Sequence, residues 1–137
     1  MTRFNTWLIG VAAALGLISC GGCGSDEPAA LPVCASLAAV QNTVDHIWNT
    51  SVSENGLGQM RTYLSQLRTE VRQLATDTSA QFGPEAEQLR AATDDLSADI
   101  ATARAEPNAR NLAAVRVAAN AVRVDVEQLR NALARTC

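Results

Sequence analysis

Residues 57–78, LGQMRTYLSQLRTEVRQLATDT, decide the fold. Leu57, Met60, Leu64, Leu67, Val71, Leu74 and Thr78 recur at alternating gaps of three and four residues, the spacing that aligns one face of an α-helix. Arg, Gln, Glu and Thr fill the positions between, so the segment carries one apolar stripe and needs other elements to cover it. Outward from this segment the same pattern repeats. On the N-terminal side, Asn49-Thr50-Ser51 and Asn55-Gly56 read as a loop. Before it lies a helix from about Cys34 to Trp48, with Leu37, Val40, Val44 and Ile47 on one face. On the C-terminal side the second helix is expected to run to Gln81, where Gly83-Pro84 stops it and starts a third. Pro in a first turn loses no needed donor, and Glu85 and Glu87 suit the positive end of that helix. Leu89, Thr93, Leu96, Ile100 and Ala103 form its stripe. Pro107 breaks the chain again. A fourth helix then carries Leu112, Val115, Ala119, Val122, Val126, Leu129 and Leu133 toward Cys137.

No strand-like alternation interrupts these segments. Helices of about 15, 25, 22 and 28 residues with short connections predict an all-α fold, a four-helix up-down-up-down antiparallel bundle over residues 32–137. The chain has 137 residues, 47% of them apolar and 18% charged, which suits one globular domain. Its net charge is -3, and all eleven basic residues are Arg, ten of them after Arg3. That balance excludes a general nucleic-acid binder.

Residues 1–19 have the layout of a secretory signal: Arg3, an apolar run from Trp7 to Leu17, then small residues. The run is shorter than the ~20 residues that a spanning helix needs. Leu17-Ile18-Ser19-Cys20 resembles the lipobox of bacterial lipoproteins. The resemblance implies that Cys20 becomes the lipid-modified first residue of the mature chain and that the protein is held on the extracytoplasmic face of the cell membrane. An ordinary cleaved signal followed by a chance cysteine is the other reading. Residues 20–31 then form a lipidated N-terminus and a flexible linker, in which GGCGSDEPAAL, residues 21–31, has a root-mean-square reach of roughly 18 Å.

In a bundle of four antiparallel helices, the start of the first and the end of the last share one end, and Cys34 and Cys137 fall there. A disulfide between them outside the cytoplasm would close a loop of about 100 residues, worth ~4.7 kcal/mol in the chain-entropy model. Pairing of Cys23 with Cys34 or Cys137 is the competing arrangement. Cys34, the Asn55-Gly56 turn, the Pro107-Asn108 break and the terminal Cys137 together resemble a group of small actinomycete lipoproteins with an Ala-rich helical domain and a Cys near each end. That resemblance implies a cell-envelope lipoprotein and brings no reaction with it.

Signs of chemistry are sparse. His46 is the single histidine, and no acidic residue stands three or four positions from it to complete a metal-binding turn. The Glu-x-x-His pairs of a bundle di-metal site do not occur. Gly21-Gly22-Cys23-Gly24 lacks the strand and helix that flank a phosphate loop. Asp94, Asp95 and Asp99 read as a solvated acidic face rather than a weak calcium site, which would add loop carbonyls. Trp48, Tyr63 and Phe82 read as core plugs, with a shared pocket as the alternative. The expectation is a protein without catalysis, cofactor or metal.

The arginines carry more pattern. Heptads assigned from the stripes place Arg61, Arg68, Arg90, Arg104, Arg116, Arg123 and Arg130 at position e, directly after a core d residue. In an antiparallel pair e meets e, so Arg faces Arg. Arginine stems covering the core edge, heads in water, explain this at no cost. The sharper reading is a basic strip on the second and fourth helices, made by Arg61, Arg68, Arg116, Arg123 and Arg130 and facing an envelope protein or anionic lipid; parallel self-association is a third. Val117 and Val124, at the outward f position, mark a small contact with another chain or are incidental. The function expected from these residues is a lipid-anchored envelope protein acting as a non-catalytic interaction or structural module. The alternative is a ligand-binding or sensory bundle holding a small apolar molecule.

Overall fold

A computed structural model describes residues 31–137. The signal segment, Cys20, Cys23 and most of the linker lie outside the described residues. Four helices make up the domain: α1 (Pro32–Asn49), α2 (Glu54–Asp77), α3 (Gly83–Ala105) and α4 (Ala109–Leu133), with a short 3-10 turn at Ala80–Phe82. There is no strand among the described residues. The fold is an all-α four-helix bundle, as the apolar spacing predicts.

Each helix begins where its sequence supplies a start. Pro32 opens α1 and Pro84 sits in the first turn of α3. The Ser53 hydroxyl accepts from the Gly56 amide at 3.3 Å, and the Asn108 side chain accepts from the Asn111 amide at 2.9 Å, capping α2 and α4. Three boundaries differ from the sequence expectation. Asn55-Gly56 belongs to the first turn of α2, not to the loop before it. A Cβ on Gly56 would collide with the Ser51 carbonyl oxygen, so this glycine serves a close approach of the α1–α2 connection. At its far end, α2 stops at Asp77 instead of Gln81. The Thr78 amide and hydroxyl both donate to the Leu74 carbonyl there, at 2.9 and 2.5 Å. Finally, α4 stops at Leu133, because the amides of Thr136 and Cys137 both turn back onto the Leu133 carbonyl at 2.8 Å.

That last turn carries Cys137 to Cys34, and the two are joined as a disulfide with their Cα atoms 5.5 Å apart across a sequence separation of 103. The Ser36 hydroxyl donates to Asp77 at 2.5 Å, linking the start of α1 to the end of α2. With the Gln73 amide, it holds the Asp77 carboxyl below the usual carboxylate range. Gln88 near the start of α3 donates to Asp125 late in α4 at 3.1 Å. These contacts fit the antiparallel order. Successive helices pack on each other and α4 returns to α1, by the least extensive of the four interfaces. The α2/α3 and α1/α4 seams therefore lie on opposite sides of the ring.

The core is the union of the four stripes. Val40, Met60, Leu67, Leu74, Leu89, Leu96, Val115 and Leu129 are wholly removed from water. At ~25 cal/mol per Å², burying each such side chain contributes about 1.5–3 kcal/mol. On α4 the buried face is wider than the stripe: Ala118 and Asp125, one heptad apart, turn toward the core as well. Burial pushes the Asp125 carboxyl up, and its bond from Gln88 is the compensating contact. Two threonines are also buried. Thr93 returns its hydroxyl to the Leu89 carbonyl at 2.8 Å, whereas the Thr43 hydroxyl has no partner among the described residues.

Candidate functional site

The chemistry of the surface concentrates at the two opposite seams. Arginines directly after a core d residue border the core without entering it, and the neighbouring helix decides what they meet. On α2 the neighbour is α3, and e does meet e. Arg61 of α2 and Arg104 of α3 line one open cleft, of about 680 Å³, with Gly58, Thr62, Ser65, Gln66 and Thr69. Arg68 of α2 and Arg90 of α3 line a second, of about 420 Å³, with Arg72, Thr93 and Asp94. Ser65 and Thr69 border both, so the two form one groove along the α2/α3 seam.

Five guanidinium groups thus share this groove with a single carboxylate, Asp94. Arg68 meets Asp94 at 3.2 Å and Arg90 meets it at 3.9 Å, with Arg90 also paired to Glu87 on its own helix. The Arg90 contact holds the Glu87 carboxyl down, and Glu87 in turn raises Arg90. These side chains are about half exposed, so water and salt screen their pairing. Arg72 donates to the Arg68 carbonyl at 3.2 Å and to the Thr69 hydroxyl at 3.4 Å. Arg61 and Arg104 meet no carboxylate within 4.0 Å among the described residues.

At the α1/α4 seam the same heptad position is used differently. Arg116 donates to the Val52 carbonyl in the α1–α2 connection at 3.3 Å. The Arg123 guanidinium lies over the Trp48 ring, 4.5 Å from its centroid, a cation–π contact. Arg130 pairs with Glu127 on its own helix at 2.7 Å. An open cleft of about 260 Å³ lies between Trp48, Val52 and Arg116, with Ile47, Met60 and Ala119 also lining it.

The five arginines of the expected strip are therefore not one surface. Arg61 and Arg68 belong to the α2/α3 groove, and Arg116 and Arg123 belong to the opposite seam, because e on α2 looks toward α3 while e on α4 looks toward α1. The groove gains Arg90 and Arg104 from the same e row, and Arg72, which the e row does not contain. The signal for Arg72 was its place four residues after Arg68, on the same side of the helix.

The remaining sequence candidates separate in the same way. Tyr63 and Phe82 are half-buried against the core, as plugs. Trp48 is 46% exposed, under Arg123. His46 is exposed and stacked on Tyr63, with centroids 5.2 Å apart. Val117 and Val124 are exposed at 71% and 42%. Asp94 of the acidic trio is drawn into the arginine groove. No helix of the described residues is long and apolar enough to cross a membrane. Comparison with family models, with curated proteins and with solved structures finds no match to this chain.

Proposed function

We propose that the protein is a lipid-anchored module on the extracytoplasmic face of the cell membrane, tethered through Cys20 and working by binding rather than by catalysis. The observation that carries this reading is the Cys34–Cys137 disulfide at the end of the bundle where the linker enters. Disulfides persist outside the reducing cytoplasm, and this one ties the first and last helices together beside the tether. The lipobox-like Leu17-Ile18-Ser19-Cys20 supplies the anchor, and two or three acyl chains hold firmly where one would not. The polar and charged groups that converge do so at surface seams, which suits recognition of a partner, an envelope protein or anionic lipid. The mass of the N-terminal peptide from the membrane fraction tests the reading. A peptide that begins at Cys20 and carries acyl chains is expected, and a free Cys20 thiol inside a longer peptide contradicts it.

The second reading, a bundle that holds a small apolar molecule, has the α1/α4 cleft in its favour, with Ile47, Met60 and Ala119 among its lining residues. A ligand there would raise the melting temperature in a thermal-shift screen of lipids and metabolites, and Ala119→Leu would abolish the rise.

A further inference from the structure

We infer that the α2/α3 arginine groove binds the phosphate headgroups of anionic membrane lipids, so that the tethered bundle lies side-on against its own membrane. The inference rests on the anchored reading only for the source of the lipid; the groove itself stands on its geometry. Residues 31–137 contain ten Arg and twelve Asp and Glu. Five of those ten Arg line this groove beside one of the twelve acids, which leaves the rest of the domain strongly negative. An anionic bilayer repels most of the surface and attracts this strip, and that asymmetry selects one orientation.

The chemistry of the lining fits phosphate. Arg presents a planar fork of donors that matches phosphate oxygens, and the hydroxyls of Thr62 and Ser65 add neutral donors in the same clefts. Arg61 and Arg68 stand two turns apart on α2, about 10 Å at 1.5 Å per residue, so the two clefts present two places for a headgroup in line along the bundle. The tether permits the posture. Eleven residues separate Cys20 from Pro32, chain length enough to lay the domain on its side. Keeping Arg61 opposite Arg104 without a carboxylate leaves like charges facing each other, an arrangement that an anion in the cleft relieves.

The test uses the mature protein in a neutral, nonionic micelle. Short-chain phosphatidylglycerol and short-chain phosphatidylcholine are added in separate titrations, and the arginine Nε–H resonances are followed by NMR. The anionic lipid is expected to shift Arg61, Arg68, Arg72, Arg90 and Arg104, with the zwitterionic lipid leaving them in place and added salt reversing the shifts. Arg61→Gln with Arg104→Gln should weaken the half-saturation about twenty-fivefold, from about fivefold per arginine at an anionic surface. Arg116→Gln with Arg123→Gln should leave it unchanged. Shifts spread equally over the α4 arginines, or no shifts at all, overturn the assignment. Free glycerol 3-phosphate acting at the same concentration as the lipid also overturns it, since the groove would then be a site for soluble phosphate. Groove shifts in a protein whose N-terminal peptide is unacylated support the groove and remove the anchor. An acylated peptide without groove shifts does the reverse.

Discussion

The α2/α3 and α1/α4 seams start from the same sequence rule and end with different chemistry. Both carry arginines one residue after a core d position. At the α2/α3 seam two such rows face each other and share a groove with Asp94 alone. At the α1/α4 seam only α4 supplies the row, and its members are spent on the fold: Arg116 grips the Val52 carbonyl of the connection and Arg123 covers Trp48. The difference comes from the partner helix. α1 has no arginine to answer α4, and it ends at Asn49, so the connection and an exposed tryptophan take the place of a further turn. A heptad letter fixes which edge of a helix a residue occupies; the neighbour decides whether that edge is structural or free.

The largest effect should come from the bond that closes the weaker seam. Cys34→Ser with Cys137→Ser removes a cross-link worth up to ~4.7 kcal/mol in the chain-entropy model, and the melting temperature should fall by more than about 10 °C. The loss should be uneven. Hydrogen exchange should show α1 amides, and those of α4 that face it, opening before the α2/α3 pair. Equal loss of protection in all four helices would break the distinction between the seams.

A smaller and opposite pair of effects is expected from two glycines of α2. Gly56 lies against the connection that Arg116 holds, and a Cβ there strikes the Ser51 carbonyl; Gly56→Ala should destabilise by about 1–3 kcal/mol. Gly58, two residues on, borders the arginine groove and has open space around it. Gly58→Ala should stabilise by about 0.5–1 kcal/mol, the ordinary gain for alanine in a helix. Denaturant melts of the two variants check both signs.

Much of this was legible beforehand, and what was not has identifiable physical causes. The stripes from Leu37 to Leu133 announced four helices, because burial of one face repeats every three or four residues whatever the partner. Helix parity brings Cys34 and Cys137 to one end of the bundle, where the disulfide joins them. Helix ends were less legible: Gly56 looks like a turn residue, yet its role is to let a carbonyl approach, a tertiary fact that its neighbours in sequence do not encode. Asp125 lies outside the apolar stripe of α4, yet the structure buries it beside Ala118, where the Gln88 amide of α3 donates to its carboxylate. Heptad letters taken along each helix by itself join the arginines of α2 to those of α4. Which helix stands beside which is a property of the ring, and it sends those two rows to opposite sides.

The most direct measurement sets two double variants side by side in thermal melts of the unliganded protein. Arg116→Gln with Arg123→Gln removes a carbonyl contact and a cation–π contact worth about 0.5–1 kcal/mol, so the melting temperature should fall by several degrees. Arg61→Gln with Arg104→Gln removes facing charges that pair with no carboxylate, so the melting temperature should hold or rise, as expected where charge is kept for binding at the expense of stability. A fall for the α2/α3 variant equal to that of the α4 variant would contradict the account, since the groove arginines would then be serving the fold.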